Sequence, residues 1–192
     1  MAIPQDKLRL FAGNLLPSAG EYQIDPVHTF AEFGVQHIVV GQVRGRFDSV
    51  SGKIKIAEDP LLSTIEFTAD TSSVNTHHKD RDADLRSPRF FDVEKYPTLT
   101  FSSTSIKTEP KGKMLVEGNL TMRGVTRQVS LEVRFSGIVQ DPWGNTRVAF
   151  QAKTRLNRQD FGFMADLERE TGGLPVGKDV KIKVAVEALL KK

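Results

Sequence analysis

A period-two alternation of apolar and polar residues, from Tyr22 onward, restricts the fold of this 192-residue chain more than any other feature. Successive side chains of a β-strand point to opposite faces of the sheet, so this pattern is typical of sheets with one dry face and one wet face. In residues 131–135 and 180–186, for example, every second residue is aliphatic or aromatic. The chain contains at least eight segments of this kind, which predicts an all-β fold.

Short turns are predicted between these segments. Proline is followed by glycine within residues 109–113 and 141–145, and residues 122–125 fit a tight reversal between two strands. Proline fixes one backbone dihedral and glycine frees another, which is typical of turns. Strands joined by short turns pair antiparallel. Eight or more of them in one domain favour a barrel or a sandwich.

The predicted barrel domain spans residues 21–190. Two segments of the chain lack the alternation, one before this domain and one within it. Residues 1–20 are predicted to be an irregular N-terminal extension, because Gly13 and Asn14 split their apolar run in a way that a secretory signal does not. We therefore expect a cytoplasmic location, with a periplasmic one as the alternative if residues 1–20 act as a signal. Residues 164–179 are polar and rich in glycine, which predicts a mobile loop.

Composition excludes several classes of function. The absence of cysteine rules out disulfides, iron–sulfur ligation and thiol catalysis. The net charge is +3 without a run of five like charges, so no nucleic-acid partner is indicated. No segment approaches the roughly 20 apolar residues of a transmembrane helix. Neither a G-x-S-x-G nor an S-x-x-K motif is present, so nothing indicates an activated serine.

A cluster of histidines and aspartates lies in the segment N-T-H-H-K-D-R-D-A-D-L-R-S-P (75–88). Its alternating aspartates imitate the start of a calcium-binding EF-hand loop, which needs glycine at the sixth position and glutamate at the twelfth. Counted from Asp80, those positions hold Leu85 and Phe91, so the match fails. The cluster favours a short charged surface helix over residues 77–87, ended by Pro88 and anchored to the barrel by Leu85, Phe90 and Phe91.

The same cluster supports an alternative hypothesis, in which the chain is an enzyme that acts on a small hydrophobic substrate with the help of a metal. On a helix, His78 and Asp82 lie one turn apart, while His77 faces elsewhere. Zinc would require ligands that converge from one side. Our primary interpretation therefore has no metal site and no catalytic residue.

Phenylalanine supplies most of the aromatic content, with twelve Phe against two Tyr. It brings apolar bulk without a polar group. An eight-stranded barrel is either filled by its own side chains or holds one small ligand. Small residues on the dry faces, namely Ala31, Gly45, Ala69 and Ala152, are compatible with a cavity. The predicted pore-lining residues are Phe33, Val35, Phe47, Phe67, Phe101, Met122, Phe135, Phe150 and Phe163.

Five motifs, in the same order, resemble the YceI-like family of lipocalin-like proteins. They are Y-Q-I-D-P-V-H-T-F-A-E-F-G-V-Q-H with V-R-G-R-F (22–47), F-F-D-V-E-K-Y-P-T-L-T-F-S-S (90–103), G-N-L-T-M-R-G-V-T-R-Q-V-S-L (118–131), N-R-Q-D-F-G (157–162) and V-K-I-K-V-A-V-E-A (180–188). The resemblance implies an extended antiparallel eight-stranded lipocalin-like barrel with a long apolar pore. It also implies a polyisoprenoid ligand, such as a polyprenyl phosphate or an isoprenoid quinone. We predict no cofactor.

The primary hypothesis is therefore a protein that binds a long isoprenoid lipid for storage, transport or sequestration. A side-chain-filled barrel that only binds partner proteins stays open as a third hypothesis, and a homodimer is an open expectation. One end of the pore is expected to contact the ligand's head group. The candidates for this contact are His28, His37, Arg44, Arg123 and Arg158.

Overall fold

The structure is a computed structural model that describes residues 5–11, 13–37, 40–109, 113–163 and 176–191. Within these ranges the chain forms thirteen strands, one α-helix and several short 3-10 turns. The strands are β1 (Leu8–Phe11), β2 (Asn14–Pro17), β3 (Gly20–Ile24), β4 (Phe30–His37), β5 (Gly41–Phe47), β6 (Val50–Ile56), β7 (Thr64–Asp70), β8 (Val74–Asn75), β9 (Thr98–Glu109), β10 (Lys113–Met122), β11 (Val125–Gln140), β12 (Thr146–Asn157) and β13 (Val176–Leu190). The helix is α1 (Lys79–Arg86).

Eight strands close into an antiparallel barrel, as the alternation and the resemblance predict. Their order around the ring is β3, β6, β7, β9, β10, β11, β12 and β13, and β13 pairs with β3 to complete it. The inward face of each strand carries the apolar residues of its alternation, because only that face is shielded from water. Because the ring is closed, each of the eight strands is paired with a neighbour on both sides.

Three of the shorter strands extend this ring at one end. After a break at residues 25–29, β4 continues the course of β3 along β13. Strand β5 pairs with β4, and β8 pairs with β5. Strands β3 and β4 therefore form one long strand that is interrupted at residues 25–29, and β5 and β6 form another that is interrupted at residues 48–49. These two long strands extend the barrel along its axis.

The turns agree with the sequence where the structure describes them. In the reversal between β10 and β11, Arg123 and Gly124 have φ angles of 51° and 72°, as the two-residue turn of a β-hairpin requires. In the turn at residues 141–145, the Asp141 side chain accepts hydrogen bonds from the backbone N–H groups of Trp143 and Asn145. The predicted turn at residues 109–113 lies partly outside the described residues.

The predicted helix is present and is slightly shorter than residues 77–87. The His78 side chain caps its first turn, where Nδ1 accepts a hydrogen bond from the Arg81 N–H at 3.3 Å. The helix ends at Arg86, two residues before Pro88, because proline disfavours helical geometry in the residue that precedes it. No helix within the described residues combines the length and apolarity needed to cross a bilayer.

Two predicted boundaries need correction. Residues 8–17, predicted to be irregular, form a hairpin in which Leu10 lies opposite Leu15 and Gly13 takes a φ of 77° in the turn. Gly13, which argued against a secretory signal in the sequence, is thus a turn residue of this hairpin. Residues 176–179, predicted to belong to a loop, are the first residues of β13. The rest of that predicted loop, residues 164–175, lies outside the described residues.

Candidate ligand-binding cavity

The inner faces of the strands enclose an elongated cavity of about 460 Å³. It extends from Leu16 and Pro60 near one end of the barrel to Phe91 and Phe163 near the other. Almost all of its wall is apolar, and eight of the twelve Phe residues contribute to it. These eight are Phe33, Phe47, Phe67, Phe90, Phe91, Phe101, Phe150 and Phe163.

Most of the predicted pore residues line this cavity. Those that do so are Phe33, Val35, Phe47, Phe67, Phe101, Met122, Phe150 and Phe163. Phe135 does not line it, which corrects the prediction for this residue. Its ring instead packs against the Phe150 ring of the neighbouring strand, with the ring centres 5.4 Å apart.

Of the four small residues that were expected to leave space for a cavity, two line it. Ala31 and Ala152 line the cavity, whereas Gly45 and Ala69 do not. A methyl group added at Gly45 would lie 2.4 Å from the Phe33 ring and 2.7 Å from the Thr76 methyl group. The space that Gly45 leaves is therefore occupied by Phe33 and Thr76, and only the alanines contribute free volume.

Four phenylalanine rings form a continuous row at the helical end of the cavity. Phe33 lies 5.9 Å from Phe47, Phe47 lies 5.5 Å from Phe91, and Phe91 lies 5.2 Å from Phe163, measured between ring centres. The last two contacts have the edge-to-face geometry that aromatic pairs prefer. The row connects β4 and β5 to the segment after α1 and to the residues after β12.

Helix α1 also contributes to the cavity wall, although none of its residues is among the predicted pore-lining residues. Arg81, Asp84 and Leu85 line the cavity from this helix. Leu85 was predicted only to anchor the helix, and its apolar character is the one signal in the sequence for a position in the wall. The charged character of Arg81 and Asp84 gave no such signal, because charged residues of a short helix usually face solvent.

Asp82 fastens the helix to the barrel. Its buried carboxylate accepts hydrogen bonds from the Thr76 N–H at 2.8 Å and from the Thr76 hydroxyl at 2.5 Å. Burial would raise the pKa of Asp82, but the hydrogen bonds from Thr76 outweigh this effect and hold the pKa below its ordinary value. The carboxylate is thus a structural acceptor that is already occupied.

The proposed metal ligands of the enzyme hypothesis do not converge. His78 caps the helix and Asp82 binds Thr76, while His77 precedes the helix with a φ of 60°. Within the described residues, three potential ligand atoms lie within 4.8 Å of one another at a different place, formed by Asp25, His28 and Glu187.

A guanidinium group already lies within this second cluster. Arg147 Nη1 lies 2.6 Å from Asp25 Oδ2 and 3.5 Å from Glu187 Oε2. His28 Nδ1 lies 2.8 Å from the same oxygen of Asp25. Burial would raise the pKa of Asp25, but the hydrogen bonds from Arg147 and His28 lower it to about 2. The arrangement is an ion-pair network built around Arg147.

Of the five head-group candidates, the structure places two at the cavity, namely His37 and Arg158. His28 belongs to the ion-pair network, and Arg44 Nε donates a hydrogen bond to Gln42 Oε1 on the exposed surface. Arg123 donates hydrogen bonds to the carbonyl groups of Pro88 and Arg89. Alternation alone could not separate these three residues from His37 and Arg158, because it does not report which polar side chains reach the cavity.

Comparisons with known proteins agree with this architecture. The family model of the YceI-like domain matches residues 22–188. Protein YceI of Salmonella newport is 36% identical over 177 residues, which cover 91% of this chain and 89% of that protein.

Two solved structures have the same fold. BcnA of Burkholderia cenocepacia has a TM-score of 0.75 at 20% identity, covering 85% of this chain and 98% of the other. A polyisoprenoid binding domain from Saccharophagus degradans has a TM-score of 0.67 at 19% identity, covering 91% and 100%. With a family match over most of the barrel and a relative that is this similar, the chain belongs to the YceI-like family.

Proposed function

We propose that this protein binds a long isoprenoid lipid in the barrel cavity and stores, transports or sequesters it. The observation that carries the proposal is the elongated cavity, whose wall is apolar from Leu16 to Phe163. An isoprenoid chain is slender and flexible and has no polar groups along its length, so its shape and chemistry match this wall. The Saccharophagus degradans domain, which is described as polyisoprenoid binding, has the same fold and supports the proposal.

The energetics of such a ligand are favourable without specific polar contacts. Each CH₂ group transferred from water to an apolar wall contributes about 0.8 kcal/mol. Ordering of the flexible chain and loss of its free translation offset part of this gain. A ligand of several isoprene units would still bind through burial alone.

The test is to fill the cavity from inside and compare the amount of bound lipid. Ala152 lines the cavity on β12, where its strand neighbours are Val133 and Val184. We expect Ala152→Phe to retain at least tenfold less isoprenoid lipid than the wild type, measured by mass spectrometry of organic extracts. Gln151→Phe is the matched control, since it adds the same ring on the exposed face of the same strand.

The proposal fails if delipidated wild-type protein binds no isoprenoid of any kind. It also fails if Ala152→Phe folds and retains as much lipid as Gln151→Phe. Urea unfolding of both variants shows whether a loss of lipid reflects the filled cavity or a loss of structure.

A further inference from the structure

Large apolar side chains are exposed at the end of the barrel opposite helix α1. Strands β6, β9, β11 and β13 end there, and the other four strands of the ring begin there. Among the residues that the structure describes, eight large hydrophobic side chains are exposed, and five of them belong to this end. These five, here called the apolar rim, are Leu10, Leu15, Leu61, Leu62 and Trp143. Exposed apolar side chains that are grouped in this way mark interaction sites.

The hairpin of β1 and β2 presents two of the rim leucines as a pair. Leu10 lies opposite Leu15, so both side chains project from the same face of the hairpin. The next pair on that face is Leu8 with Pro17, and both of these residues are packed into the protein, with Pro17 fully buried. The hairpin is therefore held at its base, while its apolar tip extends into solvent.

Arg9 connects this hairpin to the loop between β6 and β7, which carries the rim residues Leu61 and Leu62. Its guanidinium group donates hydrogen bonds to the carbonyl groups of Ala57 and Glu58, the latter at 2.6 Å. The two segments that carry the four exposed leucines are therefore fastened to each other.

The apolar rim is continuous with the cavity wall. Leu16 follows Leu15 in β2, and Pro60 precedes Leu61 in the loop; both Leu16 and Pro60 line the cavity. The five rim side chains lie outside the cavity wall. In both segments, apolar residues thus lead from the inside of the barrel to its exposed end.

The charged groups near the rim are largely paired with one another. Each of four ion pairs joins one cation to one anion: Lys7–Asp6, Arg9–Glu58, Lys113–Glu132 and Lys191–Glu21. These pairs add no net charge to this end of the barrel. A highly charged partner would find little electrostatic attraction here, whereas a zwitterionic lipid surface requires none.

The side chains of the rim have the chemistry of a membrane contact. Leucine gains free energy when it leaves water for the boundary between lipid head groups and acyl chains. Tryptophan is enriched at this boundary, because it combines an apolar ring with one polar N–H group. Trp143 is 77% exposed, and its backbone N–H donates a hydrogen bond to the Asp141 carboxylate at 3.0 Å. Its turn therefore presents the indole ring to solvent from a fixed backbone.

We propose that the apolar rim docks the barrel on the surface of a zwitterionic lipid bilayer, with the leucines inserted and Trp143 at the level of the head groups. This rests on the proposed function, since a protein that carries an isoprenoid lipid has to exchange it with a membrane in which that lipid dissolves. Docking through the rim brings the end of the cavity at Leu16 and Pro60 next to the bilayer.

The test is binding to phosphatidylcholine vesicles, measured by co-sedimentation and by tryptophan fluorescence. Trp143 is the only tryptophan of the chain, so its emission should shift to shorter wavelengths when vesicles are added. The double variant Leu10→Ser/Leu62→Ser should bind about tenfold more weakly, because two inserted leucine side chains are lost. High salt screens charges and should leave the binding of the wild type unchanged.

Val40→Ser is the matched control. Val40 is 93% exposed and lies between β4 and β5, at the other end of the barrel, so this variant should bind vesicles as the wild type does. The proposal is overturned if the wild type does not bind these vesicles, or if the double variant binds them equally well. Binding that requires anionic lipid and disappears at high salt would also overturn it. A dimer of the wild type that the double variant abolishes, without any binding to vesicles, would assign the rim to a second copy of the chain instead.

Lipid retention separates this proposal from the proposed function. Neither Leu10 nor Leu62 lines the cavity, so the double variant should retain as much isoprenoid lipid in organic extracts as the wild type. Wild-type protein that retains the lipid but does not bind vesicles would overturn the docking alone. Wild-type protein that binds vesicles but no isoprenoid would overturn the proposed function.

Discussion

Arg147 Nη1 lies 2.6 Å from Asp25 Oδ2, so a single contact joins the start of β12 to the break between β3 and β4. The same guanidinium lies 3.0 Å from Asp141, at the turn that precedes β12. Each of the two aspartates also accepts a backbone hydrogen bond within its own loop, from Val27 and from Trp143. One arginine thus joins two loops that are far apart in the sequence.

This contact predicts a pH-dependent loss of stability. The pKa of Asp25 is about 2 in the folded protein, against an ordinary value of 3.8. Because the folded value is the lower one, the stabilisation is fully present above the unfolded pKa and is lost as the pH falls through the folded pKa. Allowing for solvent screening, we expect Asp25→Asn to lower the free energy of unfolding at pH 7 by on the order of 1–2 kcal/mol.

Urea unfolding over a pH series checks this prediction. The difference between wild type and Asp25→Asn should shrink as the pH falls from about 4 towards 2, where Asp25 becomes protonated. Glu94→Gln, an exposed carboxylate, is the control and should show no such trend. A difference that stays constant down to pH 2 would show that the variant acts through packing rather than charge.

A second prediction concerns the row of phenylalanine rings. Phe91 contacts Phe47 on one side and Phe163 on the other, and it lines the cavity. We expect Phe91→Ala to reduce the free energy of unfolding by about 2–3 kcal/mol, somewhat below the usual range for a fully buried ring, because Phe91 is only partly buried. Thermal unfolding of purified protein measures the effect.

Phe30→Ala is the matched comparison for Phe91→Ala. Phe30 is 45% exposed, so its removal should change the free energy of unfolding by less than about 1 kcal/mol. Equal effects of the two substitutions would argue against a structural role of the aromatic row.

A third prediction separates the structural and metal-binding interpretations of the histidine and aspartate cluster. Asp82→Ala removes the acceptor of two hydrogen bonds from Thr76, so we expect a loss of about 1–3 kcal/mol in the free energy of unfolding. His77→Ala, at an exposed position, should cost far less. Stoichiometric zinc or iron in the wild type that disappears in His78→Ala would favour the enzyme hypothesis instead.

A fourth prediction concerns two turn glycines. Gly124 and Gly144 both have positive φ angles, of 72° and 81°, but only at Gly124 would an added methyl group lie 2.8 Å from the Tyr96 ring. We expect Gly144→Ala to cost about 1 kcal/mol from backbone strain alone and Gly124→Ala to cost more. Chemical denaturation of both variants checks the order, and a reversed order would contradict the importance of the contact with Tyr96.

The barrel could be predicted because the alternation of apolar and polar residues along a strand shows which side chains are buried. Phe33, Phe47, Phe101 and Phe150 occupy inward positions on strands with one wet face, so a single sequence suffices to assign them. Phe135 shows the limit of this reasoning. Its side of the strand follows from alternation, but its contact with Phe150 instead of the cavity depends on how two strands are paired.

The ends of the barrel were harder to predict, since their side chains are positioned by loops and by the helix. Arg81 lines the cavity from α1, and both Arg81 and Asp82 are hydrogen-bonded to Thr76, which is a contact without a periodic signal in the sequence. Similarly, His37 and Arg123 are both polar residues near strand ends. Only the three-dimensional structure shows that the first lines the cavity, while the second binds carbonyl groups of the segment after α1.

Strand β13 comes last in chain order, yet it pairs with β12, β3 and β4. The ring is therefore closed by the residues of a single C-terminal strand. A chain cut before Val176 would leave one edge each of β12, β3 and β4 unpaired, and sheet edges of this kind promote aggregation.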